Sequence, residues 1–473
     1  MQTRRDQLQA YRYQVRRVLT ALLGSDPDSP EQPMRRVATA TLSGVMVAVL
    51  ALVGAGFYGK VRGGSPSKWQ RAGVLIVERE TGSRYIYTDK QLHPVLNYTS
   101  ARLLLDTASV PTVQVARKSL VGAARGATVG IAGAPDSLPD VKHLIAGPWS
   151  VCSQPVQVGA GAASNAGYVS TLMIGGQGTG TPLGDRGMLV RSASSVYLVW
   201  HGRRLRTDSA SLRSVGLDSQ QALSVPASWL NAIPAGTDLR PPSIASSGDT
   251  GPTVAGAPTS VGDVLEATGA GPDSTFYVSL TDGVAPITSV EAALLSGVPG
   301  RTQTAPRRVS TAEVNSAHQS AARLGSGDLP TVRPTLADAG GTPVCVQDVD
   351  RGGTVDTVPT ISLGGATLPV TTPVTNAGSS SRSTDSDRPT VDQVIVAAGS
   401  AALVQRLAAD GTPTAGQFLV TDAGRRYALA DDSVATALGY AGAAATGVPA
   451  GVLDLIPTGS ALEPARALQF ATQ

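Results

Sequence analysis

Cys152 and Cys345 carry the plainest chemistry in this chain of 473 residues. They are its two cysteines, and in an oxidising compartment such a pair is most simply one disulfide. Zinc is the alternative for two thiolates. It fails for want of ligands, because His93, His143, His201 and His318 are scattered without metal-ligand spacing. Gly54-Ala55-Gly56-Phe57-Tyr58-Gly59-Lys60 begins like a phosphate-binding loop. Val61 stands where Ser or Thr must hold magnesium, and no strand precedes it. No G-x-S-x-G elbow occurs. Asp136, Asp140 and His143 are close in sequence, a pattern more often solvated surface than a dyad. Arg203-Arg204 and Arg425-Arg426 read as charges that protect hairpin edges. Asn97-Tyr98-Thr99 fits a glycosylation acceptor, but it opens a predicted helix, where capping explains it. The expectation is no cofactor, no metal and no catalytic set. Catalytic groups can lie far apart in sequence, so enzymatic activity stays open.

The elements that must position these residues start with a membrane crossing. Val37 to Tyr58 contains no charged residue and is bounded by Arg35-Arg36 and by Lys60 and Arg62. Its 22 residues make a helix about 33 Å long, enough for a hydrocarbon core of about 30 Å. Arg4, Arg5, Arg12, Arg16, Arg17, Arg35 and Arg36 precede it, so the N-terminus is expected in the cytoplasm and the bulk outside. A cleaved signal peptide is the rival, but its apolar region is shorter. Outside, oxidation of the two cysteines is permitted, and the loop they close is worth at most about 5 kcal/mol of chain entropy.

Leu8, Tyr11, Val15, Val18, Leu19 and Leu22 recur at helical spacing, with Arg12, Arg16 and Arg17 largely on other faces. That predicts a basic amphipathic helix able to lie on an anionic leaflet or to dock on a cytoplasmic partner. Ser25 to Pro33 breaks it. Within the crossing, Ala40, Gly44 and Ala48 form one row of small residues, and Ala51 and Ala55 a second. Such rows let another helix approach closely.

Behind the crossing, 53 Gly and 32 Pro with 4% aromatics predict many short strands around a core of Val, Leu, Ala and Ile. A net charge of +3 without a basic patch speaks against nucleic acid. Four segments resemble one another, each a β-rich run, an Asp/Gly turn and a second run: Arg84–Val95, Val196–Arg206, Phe276–Ile287 and Phe418–Leu429. A short helix follows each, with caps at Asn97 or Thr99, Thr207 or Asp208, Thr288 with Glu291, and Asp431 or Asp432. The unit is strand–strand–helix, four times over. Val225–Gly236 matches Val448–Gly459, and an offset of 193 places Thr88-Asp89 on Thr281-Asp282 and Cys152 on Cys345. A tandem duplication with a pseudo-two-fold axis at the disulfide follows.

The expected class is α+β and β-rich, with an elongated outer domain of four units around a central β-sheet domain. The expected divisions begin with a cytoplasmic helix (1–36), the crossing (37–59) and a stalk (60–80). The first repeat (81–150) and a first stretch of the central β-domain (151–191) come next. The second repeat (192–240), a linker with a central strand (241–270) and the third repeat (271–335) follow. A further stretch of the central β-domain (336–414) carries a polar loop at 376–389, and the fourth repeat (415–473) closes the chain. Gly167–Ile174, Gly187–Arg191, Gly262–Ala267, Thr360–Leu368 and Val391–Ala398 are the candidate central strands, and Pro241–Thr259 a loose loop.

Arg5-Asp6-Gln7, Tyr11-Arg12-Tyr13, Thr81–Tyr87, His93–Leu103, Gly133–Pro139, Pro148–Cys152, Gly424–Tyr427, Leu438-Gly439-Tyr440 and Val448-Pro449-Ala450 together resemble the EccB family of actinobacterial type VII (ESX) secretion systems. The resemblance is thin between about 300 and 390, where Cys345 alone carries over. It implies a single-pass subunit of a hexameric membrane complex with EccC, a motor ATPase, EccD and EccE, and a mycosin protease on the outer face. It implies a homo-oligomer, a disulfide, and a structural and assembly role. Family members are also labelled ATPases, a label these residues do not support. An ATP-hydrolysing component and a module binding peptidoglycan or sugar are the alternatives.

Overall fold

A computed structural model of the chain describes residues 4–24, 33–62, 69–155, 167–176, 180–269, 274–300, 303, 305–325, 327–348, 358–365, 367–368 and 389–469. The proline-rich break at 25–32, stalk residues 63–68 and polar-loop residues 376–388 lie outside them. The fold is mixed α+β and rich in strands. It divides into two compact units, Met1–Leu92 with Thr112–Ala124, and His93–Pro111 with Arg125–Gln473.

The first unit opens with helices α1 (Arg4–Gly24) and α2 (Pro33–Arg62). Strands β1 (Leu75–Glu78), β2 (Arg84–Thr88), β3 (Gln91–Pro94) and β4 (Thr112–Val115) follow, ordered β3-β2-β1-β4. Trp69, Ile76, Tyr85, Leu92, Val115 and Leu120 make the core of this unit. The Trp69 and Tyr87 rings meet edge to face at 5.4 Å.

Helix α3 (Tyr98–Leu105) begins the second unit. Strands β5 (Trp149–Pro155), β6 (Tyr168–Ile174) and β7 (Thr181–Pro182) come next. A sheet then forms from β8 (Met188–Ser192), β9 (Ser195–Trp200), β10 (Arg203–Thr207) and β11 (Leu223–Ser224), with α4 (Ser209–Ser214) before β11 and α5 (Ala227–Asn231) after it. The hairpin β12 (Thr250–Val254) and β13 (Ala257–Ser260) leads to β14 (Val264–Thr268), β15 (Ser274–Leu280) and β16 (Gly283–Ile287). Helix α6 (Ser289–Ser296), β17 (Arg307–Ser310) and α7 (Thr311–Ser316) complete that region. After β18 (Val344–Asp348), β19 (Thr360–Leu363) and β20 (Gln393–Val396) come β21 (Ala401–Leu407), β22 (Pro413–Thr421) and β23 (Arg426–Leu429). Helix α8 (Asp432–Ala437), β24 (Thr446–Pro449), α9 (Ala450–Leu453) and α10 (Pro464–Ala467) end the chain.

The four-stranded sheets share one order: third strand, second, first, fourth. In each, the first strand pairs antiparallel with the second and parallel with the fourth. In sequence a helix lies between the third and fourth strands, the crossover that parallel pairing requires. Each of these sheets therefore has two strands more than the expected strand–strand–helix unit. The first strand makes a further local hairpin with the second, whereas the fourth is short and pairs with a first strand distant in sequence.

The helix starts resolve the cap alternatives. Asn97 accepts from the Ser100 amide at 2.9 Å, Asp208 from Ser211 at 2.8 Å and Asp431 from Val434 at 3.0 Å. Thr288 and Glu291 close the expected capping box. Ser310 and Glu313 close a second, unexpected one at α7, although the Ser-Thr-Ala-Glu signature stands there in the sequence.

The central sheet is ordered β20-β6-β5-β18-β19-β7. It takes up Gly167–Ile174, Thr360–Leu368 and Val391–Ala398 only partially, as β6, β19 and β20. Gly187–Arg191 and Gly262–Ala267 do not join it. They are β8 and β14, captured by the hairpins that directly follow them. Pro241–Thr259 is not a loose loop, because β12 and most of β13 lie in it. Residues 75–78, expected in the stalk, form β1, and α2 runs on to Arg62 beyond the expected end at Tyr58. One face of the central sheet, with Trp149, Val151, Leu172, Val344, Val346 and Ile361, packs into one core with Trp229 and Leu230 of α5 and Val452 and Leu453 of α9.

Candidate functional site

The elements proposed to mediate assembly are built from two helices and one cross-link. In α2, Val37–Phe57 forms 21 residues long and apolar enough to cross a membrane. Every described side chain in that stretch is exposed. No neighbour among the described residues offsets 21 residues of apolar surface, and a bilayer would. Thr41 turns its hydroxyl back to the Val37 carbonyl at 2.9 Å, satisfying it inside the helix. Val37 opens the span; Tyr58 lies in the same helix backbone, its side chain outside the described residues.

Ala40, Gly44 and Ala48 are four residues apart and fall on one face. A Cβ added at Gly44 would meet nothing within 4 Å. The row is open, and a second helix can approach it to backbone distance. Arg12, Arg16 and Arg17 are exposed on α1, as are Leu8, Tyr11, Val15, Val18, Leu19 and Leu22. Thr20 is the buried residue among those described in that helix, its hydroxyl donating to the Arg16 carbonyl at 2.7 Å. The phosphate-loop-like stretch Gly54–Lys60 is helical throughout. Its backbone amides are committed to helix bonds and cannot cradle a phosphate, which needs a loop of free N–H groups.

In the second unit Cys152 and Cys345 form a disulfide. They stand directly opposite each other in the antiparallel pair β5–β18, with Val151 opposite Val346 and Ser153 opposite Val344. Trp229 of α5 reaches the same sheet, its ring nitrogen donating to the Val344 carbonyl at 3.0 Å.

Several segments that carry the family resemblance meet in space within this unit. Asn97 donates to the Ile131 carbonyl at 2.8 Å, Thr99 to the Pro135 carbonyl, and Asp136 accepts from the Tyr98 amide at 2.9 Å. Asn97 is therefore a buried cap, not an exposed glycosylation acceptor. Arg102 stacks on the Tyr98 ring at 5.0 Å and donates to the Leu438 carbonyl at 2.6 Å. Tyr440 donates to the Pro139 carbonyl at 2.9 Å, and burial pushes its hydroxyl up to about 12. Residues 301 and 336 positions apart are tied through main-chain carbonyls.

Asp140 and His143 touch at 2.7 Å but are both mostly exposed, and the hydrogen bond from His143 holds Asp140 below the usual carboxylate range. This is solvated surface. Arg204 and Arg426 are not edge charges. Arg426 is buried against Asp454 at 2.7 Å, and half-buried Arg204 donates to Asn231 at 2.7 Å. Neither role shows in a local reading of the sequence, because the partners lie 27 and 28 residues further on.

The sequence profile described as type VII secretion system ESX-1, transport TM domain B, matches residues 1–472. A protein of Mycolicibacterium smegmatis named ESX-3 secretion system ATPase EccB3 is 30% identical, over 98% of this chain and 90% of its own length. A Mycobacterium tuberculosis protein named ESX-2 secretion system ATPase EccB2 is 30% identical, over 97% and 93%. Among solved structures, a chain of an intact ESX-5 inner membrane complex superposes with a TM-score of 0.62 at 25% identity, covering 100% of this chain and 96% of that one. A chain of the EccB3 dimer from the ESX-3 core complex gives 0.63 at 28% identity, covering 84% and 100%. With its apolar span, its strand-rich fold and a profile match along almost its whole length, the chain belongs to the EccB family of type VII secretion proteins.

Proposed function

We propose that the protein is a structural and assembly subunit of a type VII secretion complex in the cytoplasmic membrane. The family match from residue 1 to residue 472 carries this reading, since it spans α1, α2 and every sheet. The relatives found in an ESX inner membrane complex and in a dimer support oligomerisation within such a complex. In this reading α2 crosses once, α1 stays cytoplasmic with Arg12, Arg16 and Arg17, and the sheets lie outside. Basic residues ahead of α2 favour that orientation. The partners are EccC-type, EccD and EccE subunits and an outer-face mycosin.

The outer region is read as four copies of one unit that arose by tandem duplication around the central sheet. The shared strand order supports this, as does the offset of 193 that relates the two cysteines, which pair directly across β5 and β18. A two-fold axis between Cys152 and Cys345 exchanges the halves.

Replacing Gly44 and Ala48 together with Leu tests the assembly role. Membrane insertion is expected to persist, while the yield of the complex on native electrophoresis falls several-fold. An unchanged yield reduces α2 to a plain anchor. The relatives' names favour a rival, ATP hydrolysis. Hydrolysis by the purified full chain, abolished by a single substitution, would establish that rival.

A further inference from the structure

The disulfide lies where the described residues leave no path for an attacking thiolate. Cys152 and Cys345 sit on β5 and β18, the two middle strands of the six-stranded sheet. Each strand is also paired on its other side, which sets Cys152 opposite Thr171 of β6 and Cys345 opposite Ser362 of β19. Met173, Leu368 and Ile395 pack on the pair, and the cysteines are 0% and 3% exposed. The Thr171 and Ser362 hydroxyls beside them are buried without a hydrogen-bond partner among the described residues.

Thiol–disulfide exchange needs a thiolate approaching along the S–S axis, together with solvation of the charge it brings. This site offers neither room nor solvation. By microscopic reversibility, a bond that exchange cannot break in the closed sheet is not made by exchange in the closed sheet.

We infer that the Cys152–Cys345 bond is made before the central sheet closes, by an oxidising protein disulfide acting on the open chain, and is sealed afterwards. One cysteine thiolate attacks the oxidant's disulfide, forming a mixed disulfide and releasing one oxidant thiolate. The second cysteine thiolate then displaces the oxidant's other sulfur. Two electrons pass to the oxidant, which leaves as a dithiol carrying the two protons. The source of the oxidant rests on the outward placement of the sheets proposed above. The sealing rests on burial alone, so the two can fail separately.

The test uses the full chain in detergent micelles with dithiothreitol. Samples are quenched in acid at intervals, and free thiols are counted with a maleimide after denaturation. Thiols should appear at least about a hundredfold more slowly in the native protein than in denaturant, because reduction waits for the sheet to open. Rates within about tenfold of each other overturn the inference. A second measurement reduces and unfolds the chain, then supplies oxidised dithiol protein either during refolding or after it. Disulfide should form in the first case and not in the second. Equal yields overturn the order, and the first measurement needs no refolding.

Discussion

Arg204 and Asn231 make the bond that Arg426 and Asp454 make, with one charge missing. Arg204 Nη1 donates to Asn231 Oδ1 at 2.7 Å and to the Leu230 carbonyl at 3.2 Å. Arg426 Nη1 donates to Asp454 Oδ1 at 2.7 Å and to the Leu453 carbonyl at 2.9 Å. In both places an arginine on the third strand of a sheet holds the end of the short helix that follows the fourth strand. Burial pulls the Arg204 guanidinium below the usual arginine range, since no carboxylate among the described residues repays its lost hydration there.

Giving Arg204 a counter-charge should therefore stabilise the protein. Asn231→Asp is expected to add about 1 kcal/mol, as a charge-assisted bond replaces a neutral one. Asp454→Asn is expected to cost about 3 kcal/mol, because Arg406 at 2.7 Å and Arg426 both lose their partner. Urea midpoints moving in opposite directions check the pair. A shift in the same direction sinks the explanation.

The junction between α5 and α9 makes a second prediction. A Cβ on Gly451 would come within 2.9 Å of the Asn231 carbonyl oxygen, which belongs to rigid backbone. Gly451→Ala should cost about 1–3 kcal/mol through overpacking, even though alanine usually favours a helix. Trp229→Ala, which empties a fully buried ring site and strips the Val344 carbonyl of its donor, should cost about 3–5 kcal/mol. Thermal unfolding of each variant measures these. A stabilised Gly451→Ala would show that the helices separate easily.

Alkaline pH should loosen the tie between Tyr440 and Pro139. The Tyr440 hydroxyl is raised to about 12, mainly by burial, from an unfolded value near 10. Between those values the unfolded chain binds fewer protons than the folded one, so stability falls as pH rises. Tyr440→Phe should lose about 1 kcal/mol at neutral pH from the missing hydrogen bond. It should also show a shallower decline above about pH 10 than the parent. Parallel pH profiles would contradict the assignment.

Acid should act on the helix starts in the opposite sense. The amide of Ser211 holds Asp208 below the usual carboxylate range, and the hydroxyl of Ser433 does the same for Asp431. Both contributions are present above about pH 4 and are lost as pH falls through the lowered folded values. Asp208→Asn keeps a capping acceptor without the charge, so it should flatten the acid limb while changing neutral stability little. Circular dichroism melts from about pH 2 to about pH 7 follow this, and an unchanged acid limb counts against it.

What is legible in the sequence is local. Asn97, Thr288 with Glu291, and Asp431 each act on an amide three residues away, so their roles show in a short window. The hairpins β9–β10, β15–β16 and β22–β23 are likewise legible, because turn and strands are contiguous. Arg204 reads as an edge charge because its helix end lies 27 residues on. Strand β11 is invisible in the sequence because its two residues have meaning only beside β8.

By itself the sequence determined an apolar stretch long enough to cross a membrane, the hairpins, the few candidates for each helix cap and the chemistry of one cysteine pair. Apolar length, turn geometry and thiol oxidation depend on residues near one another or on a residue's own type. The tertiary structure alone decided which strands enter the central sheet, that Cys152 lies opposite Cys345, and that Arg102 reaches the Leu438 carbonyl. Any strand of alternating pattern can pair with many others. The choice is made when one arrangement buries Trp229, Val151 and Val346 together and leaves few polar groups unpaired.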